Sequence, residues 1–457
     1  MSAKKCCKCK TSDATVLIRH AYYCQPCFVY AAVGKYRSII NKSRSIARTK
    51  GRVLLACSGG PCSIAMIHLT REFMHVAPHE KKKVQLMTGA TVCHIDESAL
   101  FKEQVNTVDS LKKMMDEEYS HMNFISVPME EIYSPEFLNN SGFSNTLEAA
   151  GGSDDYEYLV NIKQQAPTTS EDERKERLQK LFADIRKASA KEDLYWHIKM
   201  AMLVTIAKKE RCSYIFMADS STRQSIKMIS MTSKGRGYSI PLDVGVENDI
   251  TFAPIAILRP MKDMLSKEVG LYNRFIGLEK YVVAPTSFST KMPAKHSIER
   301  LTEDFIVSLE RDFPSTVSTI SRTASKLTPS NDIDLSRRCA VCLMPYQPNI
   351  EDWRRRITVT GVQAESANGT VAAAAKSCSN NNINGCCGGS EDCGKGTVTV
   401  DVNQYLCYSC QVDLKDYGID AISLLPPYIS SDIFQRSREE SLRDQIKEFL
   451  IDDNDEE

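Results

Sequence analysis

Apolar positions along the chain alternate between continuous runs and runs with helical spacing. Residues 53–57 form a continuous apolar run, which is typical of a parallel strand buried on both faces, and residues 63–69 then place apolar side chains on one helical face. The alternation continues, with strands predicted at 91–95, 124–128, 214–218 and 255–258 and helices at 101–119 and 193–209. Repeated strand–helix units predict an α/β fold with a doubly wound parallel sheet, whose ligands lie beyond the carboxyl ends of the strands.

A tight Ser-Gly-Gly turn joins the first of these strands to its helix. Such a turn lets backbone N–H groups surround a phosphate at the helix N-terminus, so Ser58, Gly59, Gly60 and Ser63 are candidate phosphate-binding residues. Asp96 ends the second strand, where it would hold a ribose or adenine or, equally, serve as an acid at a helix N-terminus. No Gly-Lys-Ser/Thr follows the turn, so it is not a Walker A loop.

Polar residues follow the strand predicted at 214–218. The hydroxyl-rich run 219–222 suits contact with phosphate or RNA, and Lys227, Lys234 and Arg236 add positive charge nearby. After the last predicted strand, residues 260–263 contain a proline and an aspartate, which fit the first turn of a helix.

Several of the 17 cysteines form Cys-x-x-Cys pairs, which in a reducing compartment indicate zinc rather than disulfides. Two such sets of four are predicted to bind one structural zinc ion each: Cys6, Cys9, Cys24 and Cys27, and Cys339, Cys342, Cys407 and Cys410. Cys7 is a bystander because it breaks the spacing. For the first set, the alternative is four reduced surface cysteines. For the second set, the alternative is competition from the loop cysteines Cys378, Cys386, Cys387 and Cys393.

Composition divides the chain into four predicted parts. They are an N-terminal zinc module at 1–30, an α/β domain at 31–330 with a basic lead-in helix and a polar insertion near 139–191, a zinc ribbon with a low-complexity loop at 331–425, and a helical acidic tail at 426–457. No apolar run approaches the roughly 20 residues needed to cross a bilayer, and no signal peptide is recognisable, so we expect a cytoplasmic protein.

The formal net charge of zero hides a basic head and an acidic tail. Residues 1–52 carry twelve Lys or Arg against one acid, which suggests a polyanion partner. In the basic helix, Phe28, Tyr30 and Tyr36 are available for stacking on RNA bases. The candidate tRNA-binding cations there are Lys35, Arg37, Lys42, Arg44 and Arg48. A solvated basic helix packed beside the main domain is an equal alternative, and the acidic tail is expected to be a solvated, frayed end.

The order of these features resembles one family. Paired Cys-x-x-Cys motifs and a basic helix precede the Ser-Gly-Gly turn, and the run 218–223, the Gly-Arg-Gly turn at 235–237, Arg-Pro-Met at 259–261 and the last cysteine pairs follow it. In this order they resemble the cytoplasmic tRNA 2-thiolation protein 2 family over most of the chain. The resemblance implies a PP-loop ATPase fold of the adenine nucleotide alpha hydrolase-like type.

The resemblance also implies a function. It implies a subunit of the cytoplasmic tRNA thiolation complex, needed for 2-thiolation of the wobble uridine U34 in tRNA for Lys, Glu and Gln. The implied partners are a catalytic thiolase subunit in a heterodimer, tRNA, and a thiocarboxylated ubiquitin-related modifier that supplies sulfur. In that chemistry ATP adenylates the uridine C2 oxygen with release of pyrophosphate, and sulfur then displaces AMP.

At its central loop the chain differs from the active PP-loop enzymes. Pro61 and Cys62 stand where the Lys-Asp pair of an active PP-loop would be, so neither an ammonium for phosphate nor a carboxylate for Mg²⁺ is present there. The residues directly after the strand at 124–128, Met129 to Ile132, contain no cysteine. We therefore predict a subunit with no catalytic residues, in which ATP binding is doubtful. A lowered pKa of the Cys62 thiol at a helix N-terminus would instead favour a minor sulfur-relay role.

Two other functions stay open at this point. The chain could itself be an ATP-dependent tRNA sulfurtransferase or nucleotidyltransferase, for which ATP binding by the isolated chain would be evidence. It could also be a zinc-dependent adaptor without tRNA contact, for which a lack of salt-dependent tRNA binding would be evidence.

Overall fold

The computed structural model describes residues 4–74, 86–104, 106–141, 167–284, 286–290, 292–313, 315–330, 333–357, 402–418 and 423–446. The strands are β1 (Val16–Ile18), β2 (Ala21–Tyr23), β3 (Gly51–Ala56), β4 (Met87–Asp96), β5 (Asn123–Pro128), β6 (Cys212–Phe216), β7 (Glu247–Asn248) and β8 (Ala256–Leu258). The helices up to the last strand are α1 (Gln25–Lys42), α2 (Arg44–Arg48), α3 (Pro61–Met74), α4 (Thr107–Glu118), α5 (Pro135–Ser141), α6 (Glu171–Asp184), α7 (Ala188–Lys209), α8 (Ser221–Ser233) and α9 (Ile240–Val244). The later helices are α10 (Ser266–Ile276), α11 (Ile298–Asp312), α12 (Thr316–Ala324), α13 (Ile350–Ile357), α14 (Tyr408–Leu414) and α15 (Pro427–Ile446).

A six-stranded sheet in the order β5-β4-β3-β6-β8-β7 forms the centre of the molecule. Its strands are parallel except β7, which runs antiparallel at the edge. Leu55 of β3 is in register with Val92 on one side and with Phe216 on the other, and all three side chains are fully buried. The prediction of a doubly wound, mostly parallel α/β sheet is confirmed.

The two faces of the sheet carry separate hydrophobic cores, as alternation along a strand requires. Val53 and Leu55 of β3 point into a core shared with α1, α3 and α10. Leu54 points into the opposite core, which contains α6, α7 and the start of α15. Cys339 of the C-terminal cysteine group belongs to this second core. The sheet therefore packs directly against the C-terminal part of the chain.

Several element boundaries differ from the sequence prediction. The helix predicted at 101–119 begins only at Thr107, after a 3₁₀ turn, and the helix predicted to start near Pro260 begins at Ser266. Turn geometry occupies 260–263 instead, because the Met264 and Lys262 N–H groups bond back to Met261 and Arg259 carbonyls. The short edge strand β7 was not predicted.

The predicted polar insertion at 139–191 contains an ordered helix in its second half. Ser170 caps α6 by accepting a hydrogen bond from the Glu173 N–H group, and Leu178, Leu181 and Phe182 are buried in the core. The rest of the insertion lies mainly outside the described residues. The first seven residues of α6 are all charged, and they hide the apolar spacing of the rest of the helix. The segment therefore looks uniformly polar in the sequence.

The four-part division of the chain stays a prediction, and contacts cross its boundaries. Helix α1 runs through the boundary at 30 without interruption. At the other end, Tyr428 and Ile433 of α15 are buried in the main core, so the start of the predicted tail is not a solvated end. The acidic terminus from 447 onward and the cysteine-rich loop near 380 lie outside the described residues. Within 333–357 and 402–418 the structure has an isolated bridge between Arg338 and Pro345. It has none of the longer strands that a zinc ribbon would contain in these ranges.

Candidate functional site

The Ser-Gly-Gly turn lies at the carboxyl end of the central strand β3. Gly59 has φ of +78°, which glycine adopts without strain, and Ser58 Oγ accepts a hydrogen bond from the Gly60 N–H group at 3.5 Å. Ser63 is buried in the first turn of α3, and its hydroxyl donates to the Gly60 carbonyl at 2.9 Å. The turn therefore has the position of a phosphate loop, and its internal hydrogen bonds fix its shape.

A segment that follows α10 in the chain packs on this turn. The backbone N–H of Val283 donates to the Gly59 carbonyl at 2.9 Å. Further along the same segment, Phe288 stacks on Phe182 of α6 with ring centroids 5.0 Å apart. Residues 282–284 and 286–290, which we call the strap, thus cross from the Ser-Gly-Gly turn to the helix layer. Nothing in the hydrophobic pattern of the sequence predicted this contact.

The neighbouring strand β4 ends in a set of polar side chains. Asp96 is half-buried, and its Oδ1 accepts the Ser98 N–H at 2.9 Å, which is a local turn contact. His94 was not singled out from the sequence. It is buried, and its Nδ1 lies 2.9 Å from the Cys57 carbonyl oxygen, so it ties the ends of β4 and β3 together. Burial lowers the pKa of His94, which favours the neutral imidazole.

A buried ion-pair network follows strand β6. Asp219 Oδ2 lies 2.8 Å from Lys227 Nζ and 3.3 Å from Arg259 Nε, and all three side chains are buried. Burial opposes ionisation of Asp219, but the two cations outweigh it and the pKa of this carboxyl is lowered. The Lys227 ammonium also lies 4.1 Å from the centre of the Trp196 ring. The Asp219 carboxylate is therefore shared by two cations inside the protein.

This arrangement corrects the expectation that the region beyond β6 offers free hydroxyls and cations to phosphate or RNA. Ser220 is buried and caps α8 by accepting the Arg223 N–H, and Thr222 donates to Glu310 at 3.1 Å. Lys234 pairs with Asp193 at 2.7 Å and with Glu299. The Ser220 and Thr222 hydroxyls and the Lys234 ammonium are thus used in internal contacts, whereas Ser221 Oγ is buried without a hydrogen-bond partner among the described residues and Arg223 is exposed.

The environment of Cys62 contradicts the expectation of a lowered thiol pKa. Cys62 is half-buried at the start of α3, and burial raises the pKa of its thiol to about 11. The Ser220 hydroxyl opposes this shift, whereas the Asp219 carboxylate adds to it. The desolvation of the sulfur outweighs the effect of the helix N-terminus. The thiol is thus held protonated at neutral pH.

The structure brings the four N-terminal cysteines together. The sulfur atoms of Cys6, Cys9, Cys24 and Cys27 all lie within 4.8 Å of one another. The hairpin β1–β2 and the first turn of α1 place them, because Cys24 precedes α1 and Cys27 lies within it. Cys7 is exposed and outside this group. Four thiol sulfurs at this separation can hold one metal ion.

The four C-terminal cysteines form a second, more buried group. The sulfurs of Cys339, Cys342, Cys407 and Cys410 also lie within 4.8 Å of one another, and Cys407 begins helix α14. The side chain of Arg236, in the Gly-Arg-Gly turn, is only 3% exposed, and its Nη2 points at Cys410 Sγ, 3.7 Å away. Arg236 is therefore not the surface cation expected from the sequence. Its long-range contact carries no local signal that could have revealed it.

The basic lead-in segment is exposed along part of its length. Of the five candidate tRNA-binding cations, Lys35 is paired with the buried Glu268 at 2.5 Å. The other four are exposed: Arg37, Lys42, Arg44 and Arg48. Arg48 also lies 3.8 Å from Asp249 in an exposed pair. Among the aromatic residues, Phe28 and Tyr36 are buried in the core and only Tyr30, 68% exposed, faces water in this segment.

Together, the sheet, the Ser-Gly-Gly turn at its carboxyl edge and the two groups of four cysteines define an α/β protein of the phosphate-loop kind with two cysteine groups that can each hold a metal ion. Within the described residues, no helix is both long and apolar enough to span a membrane. A model of the family described as cytoplasmic tRNA 2-thiolation protein 2 matches residues 297–412.

Proteins of that name are similar to the chain along nearly its whole length. The protein of Bos taurus is 30% identical over 499 residues, with 99% of this chain and 94% of the relative covered. That of Homo sapiens is 29% identical, covering 99% and 94%, and that of Danio rerio is 28% identical, covering 99% and 95%. The chain belongs to the cytoplasmic tRNA 2-thiolation protein 2 family.

One solved structure with a related outline is the U34-tRNA thiolase NcsA from Methanococcus maripaludis with its [4Fe-4S] cluster. It is 15% identical, with a TM-score of 0.44, and the match covers 73% of this chain and 91% of that one.

Proposed function

We propose that this chain acts in the 2-thiolation of tRNA as a non-catalytic subunit of a cytoplasmic complex. The observation that carries the proposal is the similarity over 99% of the chain to proteins named for this role. The wobble uridine U34 of tRNA for Lys, Glu and Gln is the proposed target. The proposed partner is a catalytic thiolase subunit in a heterodimer, with a thiocarboxylated ubiquitin-related modifier as the sulfur donor.

The central loop supports a non-catalytic role. Pro61 and Cys62 provide neither the ammonium nor the carboxylate that phosphoryl chemistry needs. The thiol of Cys62 has a pKa raised to about 11, so it is a weak sulfur nucleophile at neutral pH. The strap packs against Gly59 of the turn through a hydrogen bond from the Val283 N–H group and a close side-chain contact. ATP binding to this subunit is accordingly not part of the proposal.

The metal we propose for both cysteine groups is zinc. A tetrahedron with Zn–S bonds of about 2.3 Å has sulfur atoms about 3.8 Å apart. The Cys9–Cys24 sulfur distance is 3.9 Å and the Cys342–Cys407 distance is 3.8 Å. Four thiolates leave no open position, as in structural zinc sites. Each ion would join two separated stretches of chain and stabilise the fold.

We propose that the exposed cations Arg37, Lys42, Arg44 and Arg48 contact the phosphate backbone of tRNA. They follow the N-terminal cysteine group along α1 and α2, so one continuous surface carries both features. Tyr30 on the same helix is available to stack on an unpaired base. Lys35 is assigned to the fold instead, because it neutralises the buried Glu268.

The test is mass spectrometry of wobble uridines in bulk tRNA from cells that lack this chain. We expect 2-thiouridine to disappear, to return with the wild-type chain or with Cys62→Ser, and to stay absent with Cys24→Ser/Cys27→Ser. Unchanged 2-thiouridine in the deletion cells would overturn the proposed role. Thiolation of tRNA by the purified chain alone would overturn its non-catalytic part and favour a sulfurtransferase.

A further inference from the structure

The Gly-Arg-Gly turn at 235–237 is seated directly on the helix that carries Cys410. Gly235 has φ of +77°, and a Cβ built at this position would lie 2.6 Å from the Tyr408 ring of α14. Only a residue without a side chain allows this approach. The glycine thereby brings the next residue, Arg236, against the C-terminal cysteine group.

Arg236 is held in place by acids and a histidine from other elements. Its Nη2 lies 3.4 Å from Asp193 of α7, 3.6 Å from Asp413 of α14 and 2.8 Å from His197 Nε2. The same Nη2 is 3.7 Å from Cys410 Sγ, within the range of a hydrogen bond to sulfur. Burial of the whole group fixes the guanidinium in one orientation beside the sulfur atoms.

A cysteine group that holds a metal ion carries a negative charge, which the Arg236 guanidinium can compensate. Four thiolates and one divalent ion have a net charge of −2, which is costly inside a protein unless donors compensate it. A charged N–H donor is stronger than a neutral one, and hydrogen bonds to metal ligands tune both affinity and release. A backbone N–H donates to a sulfur in the C-terminal group too, but the recorded donors to Cys6 and Cys9 are backbone N–H groups and neutral side chains such as the Thr11 hydroxyl, with no charged donor among them.

We propose that Arg236 is a positioning residue for the metal of the C-terminal cysteine group, and that it makes this site the slower of the two to release its ion. The inference goes beyond the role in tRNA modification and rests on the proposal that both groups bind zinc. Its basis is the contact of a fully buried guanidinium with a ligand sulfur, which the N-terminal group lacks among its recorded contacts.

The test begins with the zinc content of the purified full-length chain, followed by the rate of zinc transfer to a chromogenic chelator. Removing Arg236 alone would leave the half-buried Asp413 without its ion-pair partner, so the variant is the double substitution Arg236→Met/Asp413→Asn. The zinc release of this variant is compared with that of Asp413→Asn alone, which keeps the arginine. A matched control, Lys199→Met/Glu97→Gln, removes another largely buried ion pair, which has no recorded contact with the sulfur atoms.

We expect two zinc ions per chain and a release with a fast and a slow phase. Cys24→Ser/Cys27→Ser should abolish the fast phase, which assigns it to the N-terminal group. Arg236→Met/Asp413→Asn should accelerate the slow phase about 10- to 100-fold relative to Asp413→Asn, since losing a partner of a metal ligand typically has effects of that size. With Co²⁺ in place of zinc, the sulfur-to-metal charge-transfer band of this variant should move to longer wavelength.

The outcomes separate the two proposals. A chain that binds no zinc overturns both the zinc assignment and this inference, and leaves the role in tRNA thiolation to its own test. Two bound ions with an unchanged slow phase and an unchanged Co²⁺ spectrum overturn the role of Arg236 alone. Equal acceleration in the Lys199→Met/Glu97→Gln control also overturns it, because the effect would then come from a general loosening of the fold.

Discussion

Val283 lies directly on Gly59, with its N–H group 2.9 Å from the Gly59 carbonyl oxygen. The Val283 Cβ is 3.3 Å from the position that a Cβ on residue 59 would occupy. The strap and the Ser-Gly-Gly turn therefore fit together only because residue 59 is glycine. In this protein the Ser-Gly-Gly turn is a packing surface for the strap as well as the link between β3 and α3.

Gly59→Ala should destabilise the protein by about 1–2 kcal/mol. The left-handed backbone at φ +78° disfavours any residue with a Cβ by about that amount, and the close contact with Val283 adds to it. Urea unfolding followed by circular dichroism measures the loss. Gly60→Ala is the control, because its nearest neighbour would be Ser58 Oγ at 3.5 Å and its φ is not positive. Equal stability of the two variants would contradict the packing role of Gly59.

Cys410→Ser should lower the free energy of unfolding by about 4 kcal/mol or more. The variant removes a metal ligand that is also part of the core shared by α7 and α15. Thermal unfolding with and without a chelator is the measurement, and the variant should respond less than the wild type, because only its N-terminal group still holds an ion. Cys7→Ser, an exposed cysteine outside both groups, should unfold like the wild type. A chelator that leaves the wild-type melting temperature unchanged would contradict the structural role of the metal.

Lys42→Ala/Arg44→Ala should weaken tRNA binding of the assembled complex and reduce its salt dependence. Each lost phosphate contact lowers the slope of log K against log salt by about 0.9. Fluorescence anisotropy with labelled tRNA at several salt concentrations gives the slope. Lys35→Ala serves as the contrasting variant, since its ammonium pairs with Glu268 and its loss should affect folding instead. A slope that changes only in Lys35→Ala would refute the assigned surface.

Cys62 should react with iodoacetamide much more slowly than the exposed Cys7. A thiol of pKa about 11 carries about a hundredfold less thiolate at neutral pH than one at the usual 9. Because the pKa is raised, the reactive thiolate increases as the pH rises toward 11, so its alkylation should still be accelerating above pH 9. Peptide mass spectrometry quantifies both sites. Preferential labelling of Cys62 at pH 7 would revive the sulfur-relay role.

The sheet and the cysteine groups could be predicted because their signals are local. An apolar run such as 53–57 indicates a buried strand, and two Cys-x-x-Cys pairs indicate one metal site, with no knowledge of distant contacts. The boundaries of α4 and α10 were less predictable, because turns before them are fixed by individual backbone hydrogen bonds.

The fate of individual polar side chains could not be predicted. Lys234 and Arg236 look like surface cations in the sequence, yet their partner Asp193 lies some forty positions earlier on α7. The strap and His94 are similar cases, since each contacts the Ser-Gly-Gly region from a remote part of the chain. Composition and periodicity contain no information on such pairings.

The core that combines Leu54 with Cys339 and Tyr428 has a consequence for how the protein is made. Ribosomes release a chain from its N-terminus, at about 5–20 residues per second. Strands β3 to β6 and helices α6 and α7 emerge early, but the core that they form on one face of the sheet stays incomplete until Tyr428 has left the ribosomal tunnel. A nascent chain of this protein therefore exposes part of an apolar face during most of its synthesis. Chaperones that bind such faces can engage the chain throughout that time.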